Sequence, residues 1–437
     1  MQKKLIALAI AGLSGAAFAQ SNVTIYGVAD ASFESVSASG ASTIGTAATN
    51  GNSYASRTRL ATNSSLIGFK GAEALGNGMN AIWQVENQIS LDGNALLTNT
   101  QSMGNGWNTR DTYVGLTGSG GTFLAGYIST PQRSTAAKFD LMPGATGSGS
   151  SLNIIGRVNT GAVYAAAAGG AVANTFGTTT AAALGLTAAS SNIGTIFRSQ
   201  AIAYVSPSFG GFNGAIAYVP NENRDNVAAA GLAKRNPGGW NVAANYDQGP
   251  LAVSLTYLKL TDIGALPAAV ASNTGAAFSG KENHKNWILG AKYNVGQGTT
   301  VSFMYDNFKG ALGLAGGSDA TIKRNNYYLG VKQDFGNSNL VFTYMKAGDN
   351  KVGGVAAAAG RDFGNDGASF VSLRYGYNFT KRTTLYGIYT KVTNKANGNY
   401  DFSGIDQALP SGTGGGNGVI NAGADPQVVG VGIRHTF

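Results

Sequence analysis

Along much of this chain apolar and polar residues alternate one for one. In the last ten residues, Val428 to Phe437, the apolar positions are Val429, Val431, Ile433 and Phe437, and the small or polar ones are Gly430, Gly432, Arg434 and Thr436. A period of two is the mark of a β-strand with one greasy face. The same alternation sets Val371, Leu373, Tyr375, Tyr377 and Phe379 against Ser372, Arg374, Gly376 and Asn378. It sets Trp287, Leu289, Ala291, Tyr293 and Val295 against Gly290, Lys292 and Asn294, and Val301, Phe303 and Tyr305 against Ser302, Met304 and Asp306. Ala81, Trp83 and Val85 likewise oppose Gln84, Glu86 and Gln88.

Sixteen such segments are readable: 22–34, 55–71, 79–90, 108–117, 121–128, 198–206, 211–220, 238–248, 251–260, 284–295, 298–308, 323–335, 338–347, 367–379, 382–393 and 427–437. Strands of about ten residues cross a hydrocarbon layer when tilted. Aromatic residues near segment ends, Tyr26, Tyr204, Tyr257, Tyr328, Tyr377, Phe379 and Tyr389, suit an interfacial belt. Connections alternate between tight turns (Ala72–Gly78, Gly118–Gly120, Pro207–Gly210, Gly249-Pro250, Gly296-Gln297, Gly336-Asn337, Thr380-Lys381) and longer loops rich in Gly, Ala, Ser and Asn. Short turns on one side and long loops on the other are the topology of an outer-membrane barrel. Lipid tolerates no unpaired backbone, so such a sheet must close. The fold class read from the pattern is all-β, a transmembrane antiparallel 16-stranded β-barrel with a long third loop folded into the pore. That loop is 129–197. Its first part, with Arg133, Lys138, Asp140 and Arg157, reads as a constriction loop, and its charge-free Gly161–Ser191 section as an external insertion. The terminal Phe437 is expected to serve as a lipid anchor and assembly signal.

Composition sharpens this reading. Of 437 residues, 65 are glycine and only 12% are charged. After the first residues no apolar run is long enough for a transmembrane helix. Residues 1–19 have Lys3 and Lys4, then an apolar Leu5–Leu13 core, then Ala17-Phe18-Ala19. They read as a signal peptide cleaved near Ala19-Gln20, leaving 20–437 as the barrel domain. With no cysteine, thiol chemistry and disulfides are excluded. Without Lys3 and Lys4 the balance is 28 basic against 21 acidic residues, an excess able to attract anions, lipopolysaccharide phosphates or nucleic acid. No nucleic-acid-binding motif supports the last of these.

The chain resembles the general porins of β-proteobacteria, through Val23-Thr24-Ile25-Tyr26-Gly27, Gly68-Phe69-Lys70-Gly71 with Glu73-Ala74-Leu75-Gly76, Tyr113-Val114-Gly115-Leu116, Tyr204-Val205-Ser206-Pro207-Ser208-Phe209-Gly210-Gly211-Phe212, and Gly432-Ile433-Arg434-His435-Thr436-Phe437. The resemblance implies a homotrimer in the outer membrane of a Gram-negative bacterium, passing small hydrophilic solutes. It also implies an arginine cluster facing carboxylates in the pore. Arg110 and Arg198 match wall arginines and Glu86 a lumen carboxylate. Two usual arginine positions are Leu66 and Tyr127 here. Arg133, Lys138 and Arg157 could compensate, and Glu86 opposed by Asp140 would set a transverse field. The expected preference is mildly for anions.

Two other readings stay open: a channel selective for one anion, and a plugged barrel whose loops bind host surfaces or phage. An enzyme is not expected. His284 and His435 are the only histidines, and no nucleophile elbow, P-loop or metal-ligand spacing accompanies them. No catalytic residue, metal or cofactor is assigned.

Overall fold

The computed structural model describes residues 22–40, 54–91, 110–159, 192–194, 198–220, 236–262, 278–314, 319–353, 364–402 and 423–437. The expected signal peptide, 1–19, and the expected insertion, 161–191, lie outside the described residues. In chain order the strands are β1 (Asn22–Ser39), β2 (Tyr54–Thr62), β3 (Leu66–Gly76), β4 (Met79–Gln88), β5 (Thr112–Gly118) and β6 (Gly121–Ser129). Helix α1 (Pro131–Phe139) and the short strands β7 (Arg157–Asn159) and β8 (Asn192–Gly194) follow. Then come β9 (Arg198–Val205), β10 (Phe212–Pro220), β11 (Gly238–Gln248), β12 (Leu251–Thr261), β13 (Phe278–Gly296), β14 (Thr299–Leu314) and β15 (Asp319–Phe335). The chain ends with β16 (Ser338–Ala347), β17 (Lys351–Gly353), β18 (Ala368–Asn378), β19 (Thr383–Asn394) and β20 (Asp425–Thr436).

Apart from β7 and β8, which pair with each other, these strands form one antiparallel sheet. β2 and β3 both pair with β1 and are halves of one interrupted strand. β16 and β17 are likewise successive partners of β15. Counted this way, the described residues hold sixteen strands in a closed barrel. Closure is made by β1 on β20, from Val28↔Thr436 to Ser39↔Asp425. Gly27 and Phe437 extend it by exchanging backbone hydrogen bonds of 3.0 and 3.1 Å. The Phe437 ring lies over Gly27, where any Cβ would overlap it.

The alternation assigns the faces. Phe33, Leu60, Ile202, Trp240, Leu255, Leu373 and Val431 are exposed on the outside, where lipid would cover them. Asp30, Glu34, Asn241, Ser254, Asn286, Asp306 and Ser372 are buried on the opposite, inward face. Two aromatic assignments change. Tyr26 turns inward to donate to Glu86, and Tyr328 is fully buried with its hydroxyl accepting from the Leu141 N–H at 2.9 Å. Tyr257, Tyr377, Phe379 and Tyr389 are exposed, and Tyr327 joins them in place of Tyr328.

The second strand also differs from the pattern reading. It breaks at Asn63–Ser65 and then runs to Gly76, so the turn is Asn77-Gly78 rather than the whole of 72–78. At the break a backbone bond to β1 remains, from the Asn63 N–H to the Asp30 carbonyl at 2.9 Å, and side chains supply the rest. The Asp30 N–H donates to Ser65 Oγ at 2.9 Å, and Asn63 Nδ2 donates to Asp30, Ser32 and Tyr386. β13, β14 and β15 each run several residues beyond their apolar alternation. Backbone pairing continues there after the outward face has turned polar.

The segment from Thr130 to Arg157 packs on the inward-facing side chains. Gln132, Leu141, Thr343, Asn326 and Ser302 link it to β11, β15, β16, β15 again and β14. Phe139, Ile154 and Ile155 join Ile288, Met304, Tyr328, Met345, Phe370, Tyr400 and Phe402 in one apolar cluster.

Candidate functional site

α1 starts where Thr130 and Pro131 require it. The Thr130 hydroxyl accepts from the Arg133 N–H at 3.4 Å, and Pro131 occupies the first turn. The helix docks through Phe139 on Gly290 of β13, where a Cβ would overlap the ring. Docking brings Arg133 to Arg110 and Arg198. Arg110 Nε pairs with Glu86 Oε2 at 2.9 Å, and Glu86 Oε1 accepts from Tyr26 Oη at 3.2 Å. Arg198 Nε lies 3.3 Å from Asp111 Oδ2, and Asp111 also accepts from the Ser129 hydroxyl and N–H. Among the described residues Arg133 makes no ion pair. Burial, then the neighbouring Arg198 and Arg110, draw its pKa down to about 9, which leaves it charged at neutral pH. Three arginines therefore meet two carboxylates, Glu86 and Asp111. Lys70 adds a cation 5.2 Å from the centre of the Tyr26 ring.

A second charged group stands on β18 to β20 and β1. Arg434 pairs with Asp30 at 2.9 Å, and Tyr386 Oη donates to the other Asp30 oxygen at 2.7 Å. Arg374 stacks on the Tyr386 ring at 4.4 Å and donates to Asn339 Oδ1. Arg59 pairs with Glu34 at 2.8 Å. The 130–157 segment reaches this group: Gly144 abuts the Arg434 guanidinium, and Pro143, Thr146, Gly147 and Ser148 help close a cavity of about 20 Å³ beside Asp30 and Arg374.

The remaining expected residues stand elsewhere. Lys138 pairs with Asp247 at 2.7 Å, and Lys292 Nζ donates to its carbonyl at 2.9 Å. Asp140 is not opposed to Glu86 across an opening. It is buried inside its own turn, accepting from the Met142 N–H, the Ser150 hydroxyl and both the N–H and hydroxyl of Ser151. Burial raises its pKa, and those hydrogen bonds oppose the rise. Glu86 faces Arg110 as a near neighbour instead. Arg157 is buried where Asp401 supports its charge, away from the Arg110 group. Leu66 is buried on β3, and Tyr127 sits in the field of Arg198 and Arg133. His284 is buried with its ring edge-on to Phe308 at 5.1 Å. Among the described residues no cluster of three or more metal-ligating side chains occurs.

Sequence reasoning passed over Asp111, Asp30, Arg59, Arg374 and Arg434 as site residues. A signal existed for two of them. Arg374 and Arg434 occupy polar positions within otherwise apolar alternation, which puts them on the inward face.

Comparison with known proteins agrees with the barrel. Residues 5–397 match the family model described as Gram-negative porin. Outer membrane porin protein 32 of Delftia acidovorans is 30% identical over the full length of both chains. Major outer membrane protein P.IA of Neisseria meningitidis serogroup B is 26% identical, again over all of both chains. Among solved structures, the anion-selective porin from Comamonas acidovorans superposes with a TM-score of 0.62 at 25% identity, covering 96% of this chain and 100% of that one.

Proposed function

The chain belongs to the Gram-negative porin family, and from that premise we propose that it is a diffusion pore for small hydrophilic solutes that favours anions. The observation that carries the preference is Arg133, which among the described residues makes no ion pair, beside the Arg110–Glu86 and Arg198–Asp111 pairs. In a narrow wet passage a fixed cation lowers the barrier for anions and raises it for cations. Paired charges contribute a local field with little net sign, whereas the unpaired guanidinium contributes sign. In this reading the 130–157 segment narrows the lumen. Arg110, Arg198, Glu86 and Arg133 form one side of the opening. Asp140 and Arg157 hold the segment in shape, and Lys138 anchors the end of α1 to Asp247. The anion selectivity of the Comamonas acidovorans porin supports this assignment. Three barrels are proposed to associate through their exposed apolar faces. Phe437, covering Gly27, is proposed to seal the first strand to the last during assembly.

The test is the zero-current potential of the protein in a planar bilayer under a salt gradient. An anion preference should weaken in Arg133→Ala and strengthen in Glu86→Gln. A potential unchanged in both variants would remove this group from the selectivity filter.

A further inference from the structure

The outer wall carries a feature that passage through the lumen does not use. Lys259, Lys285, Lys309, Lys323 and Lys351 stand in direct cross-strand register on β12, β13, β14, β15 and β17. Each is exposed. Each also shares the outward face: Lys259 lies two residues from exposed Tyr257, and Lys285 two from Trp287. Neighbouring strands are about 4.8 Å apart, so the row spans roughly 19 Å. Like charges placed directly opposite in a sheet destabilise it. Among the described residues none of these five ammonium groups makes an ion pair or a hydrogen bond, so the repulsion is not relieved between them.

The position of the row is informative. It lies at the end of the barrel that carries the longer connections 262–277 and 354–367, opposite the tight turns at 249–250, 297–298 and 336–337. By the topology rule for such barrels this is the external side. Just inward of the lysines runs an aromatic band. Trp287 and Tyr305 are 4.9 Å apart between ring centres, and Tyr305 and Tyr327 are 5.1 Å apart. Below it the face is apolar down to exposed Tyr293 and Val295. Ten residues of tilted strand from Lys285 to Val295 correspond to roughly 25 Å, the height of a barrel's apolar band. The lysines thus stand at headgroup level of the outer leaflet, facing lipid rather than solute.

We infer that this row is a docking site for the phosphorylated headgroup of an outer-leaflet glycolipid. Charge complementarity carries the assignment: five cations in a line at headgroup depth, unpaired among the described residues, match clustered phosphates, with acyl chains lying along the aromatic and apolar face beneath. The inference rests on the outer-membrane location and not on the selectivity of the pore, so either can fail alone.

The test uses full-length protein in detergent with labelled lipid A, its enzymatically dephosphorylated form, and inorganic phosphate as competitor. Wild-type protein should bind lipid A well above the dephosphorylated form. The variant K285Q/K309Q/K323Q should bind lipid A roughly a hundredfold more weakly, while K285R/K309R/K323R keeps the affinity. Removing like charges should leave the Gln variant at least as heat-stable without lipid, and bilayer conductance should be unchanged in both, which controls for misfolding. Equal binding of the two lipid forms, or full affinity in the Gln variant, would overturn the inference. Displacement by inorganic phosphate at matched phosphate concentration would also overturn it, by assigning the row to free anions.

Discussion

Two stretches of the inner wall are treated in opposite ways. From β11 to β16 the inward side chains are chiefly neutral or apolar, and the 130–157 segment is laid over them. Asn241, Asn286, Ser302 and Thr343 bond to its backbone and side chains, and Phe139, Ile154 and Ile155 fill the spaces between. From β20 through β1 to β5 the wall carries Arg434–Asp30, Arg59–Glu34 and Arg110–Glu86. There, among the described residues, the segment reaches the wall through 143–148 beside Asp30 and Arg434 and through Arg133 beside Arg110. Covering a charged wall would take ions out of water at a cost of several kcal/mol each, whereas a neutral wall gains from being covered. Asp306, on the covered side, is tolerated because Gly156 N–H and Asn326 Nδ2 reach it at 2.7 and 2.8 Å and Asn286 also donates to it. The composition of the wall thus decides where the segment lies.

That contrast can be broken most directly at Phe139. Replacing it by Ala should cost about 3–5 kcal/mol of stability, read by guanidinium unfolding in vesicles, and should alter single-channel conductance as α1 loosens. A loss below about 1 kcal/mol would mean that apolar docking does not hold the segment. Leu373→Arg, on the lipid face, should cost on the order of 2–4 kcal/mol. Ser372→Ala, one residue along and facing inward, removes the bonds to Thr390 and Tyr389 and should cost about 1 kcal/mol in the same assay. Equal costs would contradict the assignment of faces. On the charged wall, Arg434→Ala leaves Asp30 without its cation and should shift the zero-current potential toward cations. Asp30→Asn should shift it the other way. Unchanged potentials would place this pair outside the conducting path. The smallest effect is expected at the seam: Phe437→Ala should cost about 1 kcal/mol through the lost ring contact and slow the appearance of folded barrel in a refolding gel-shift assay.

Much of the barrel was readable in advance because its outer face answers to lipid. Every residue pointing outward in the apolar band obeys one rule, and a period of two records that rule strand by strand. The reading lost ground where the rule stops. Beyond the apolar band Lys285, Lys309 and Lys323 are polar and outward, so alternation vanished while β13, β14 and β15 went on pairing. The interruption at Asn63–Ser65 was hidden because Asp30, whose backbone and side chain hold the break together, is 35 residues from Ser65. α1 was not expected within the loop, and its one local signal is Thr130-Pro131, a capping hydroxyl followed by a proline in the first turn.

The candidate site was legible as a set of residue types and only partly as an arrangement. Arg110, Arg198, Glu86 and Arg133 were named from motif and loop position. That Glu86 pairs with Arg110 rather than opposing Asp140, and that Asp140 closes its own turn, depends on bonds no local pattern encodes.

Alternation, glycine-rich turns and a deficit of charge were enough to specify an antiparallel barrel of sixteen strands, because lipid imposes a one-residue rule on each outward position. The register of the lysine row, the resting place of the 130–157 segment and the pairing of each arginine were decided only in the folded barrel. They depend on which strands become neighbours and on which charges can be buried with a partner, and both are set by contacts between residues far apart in the chain.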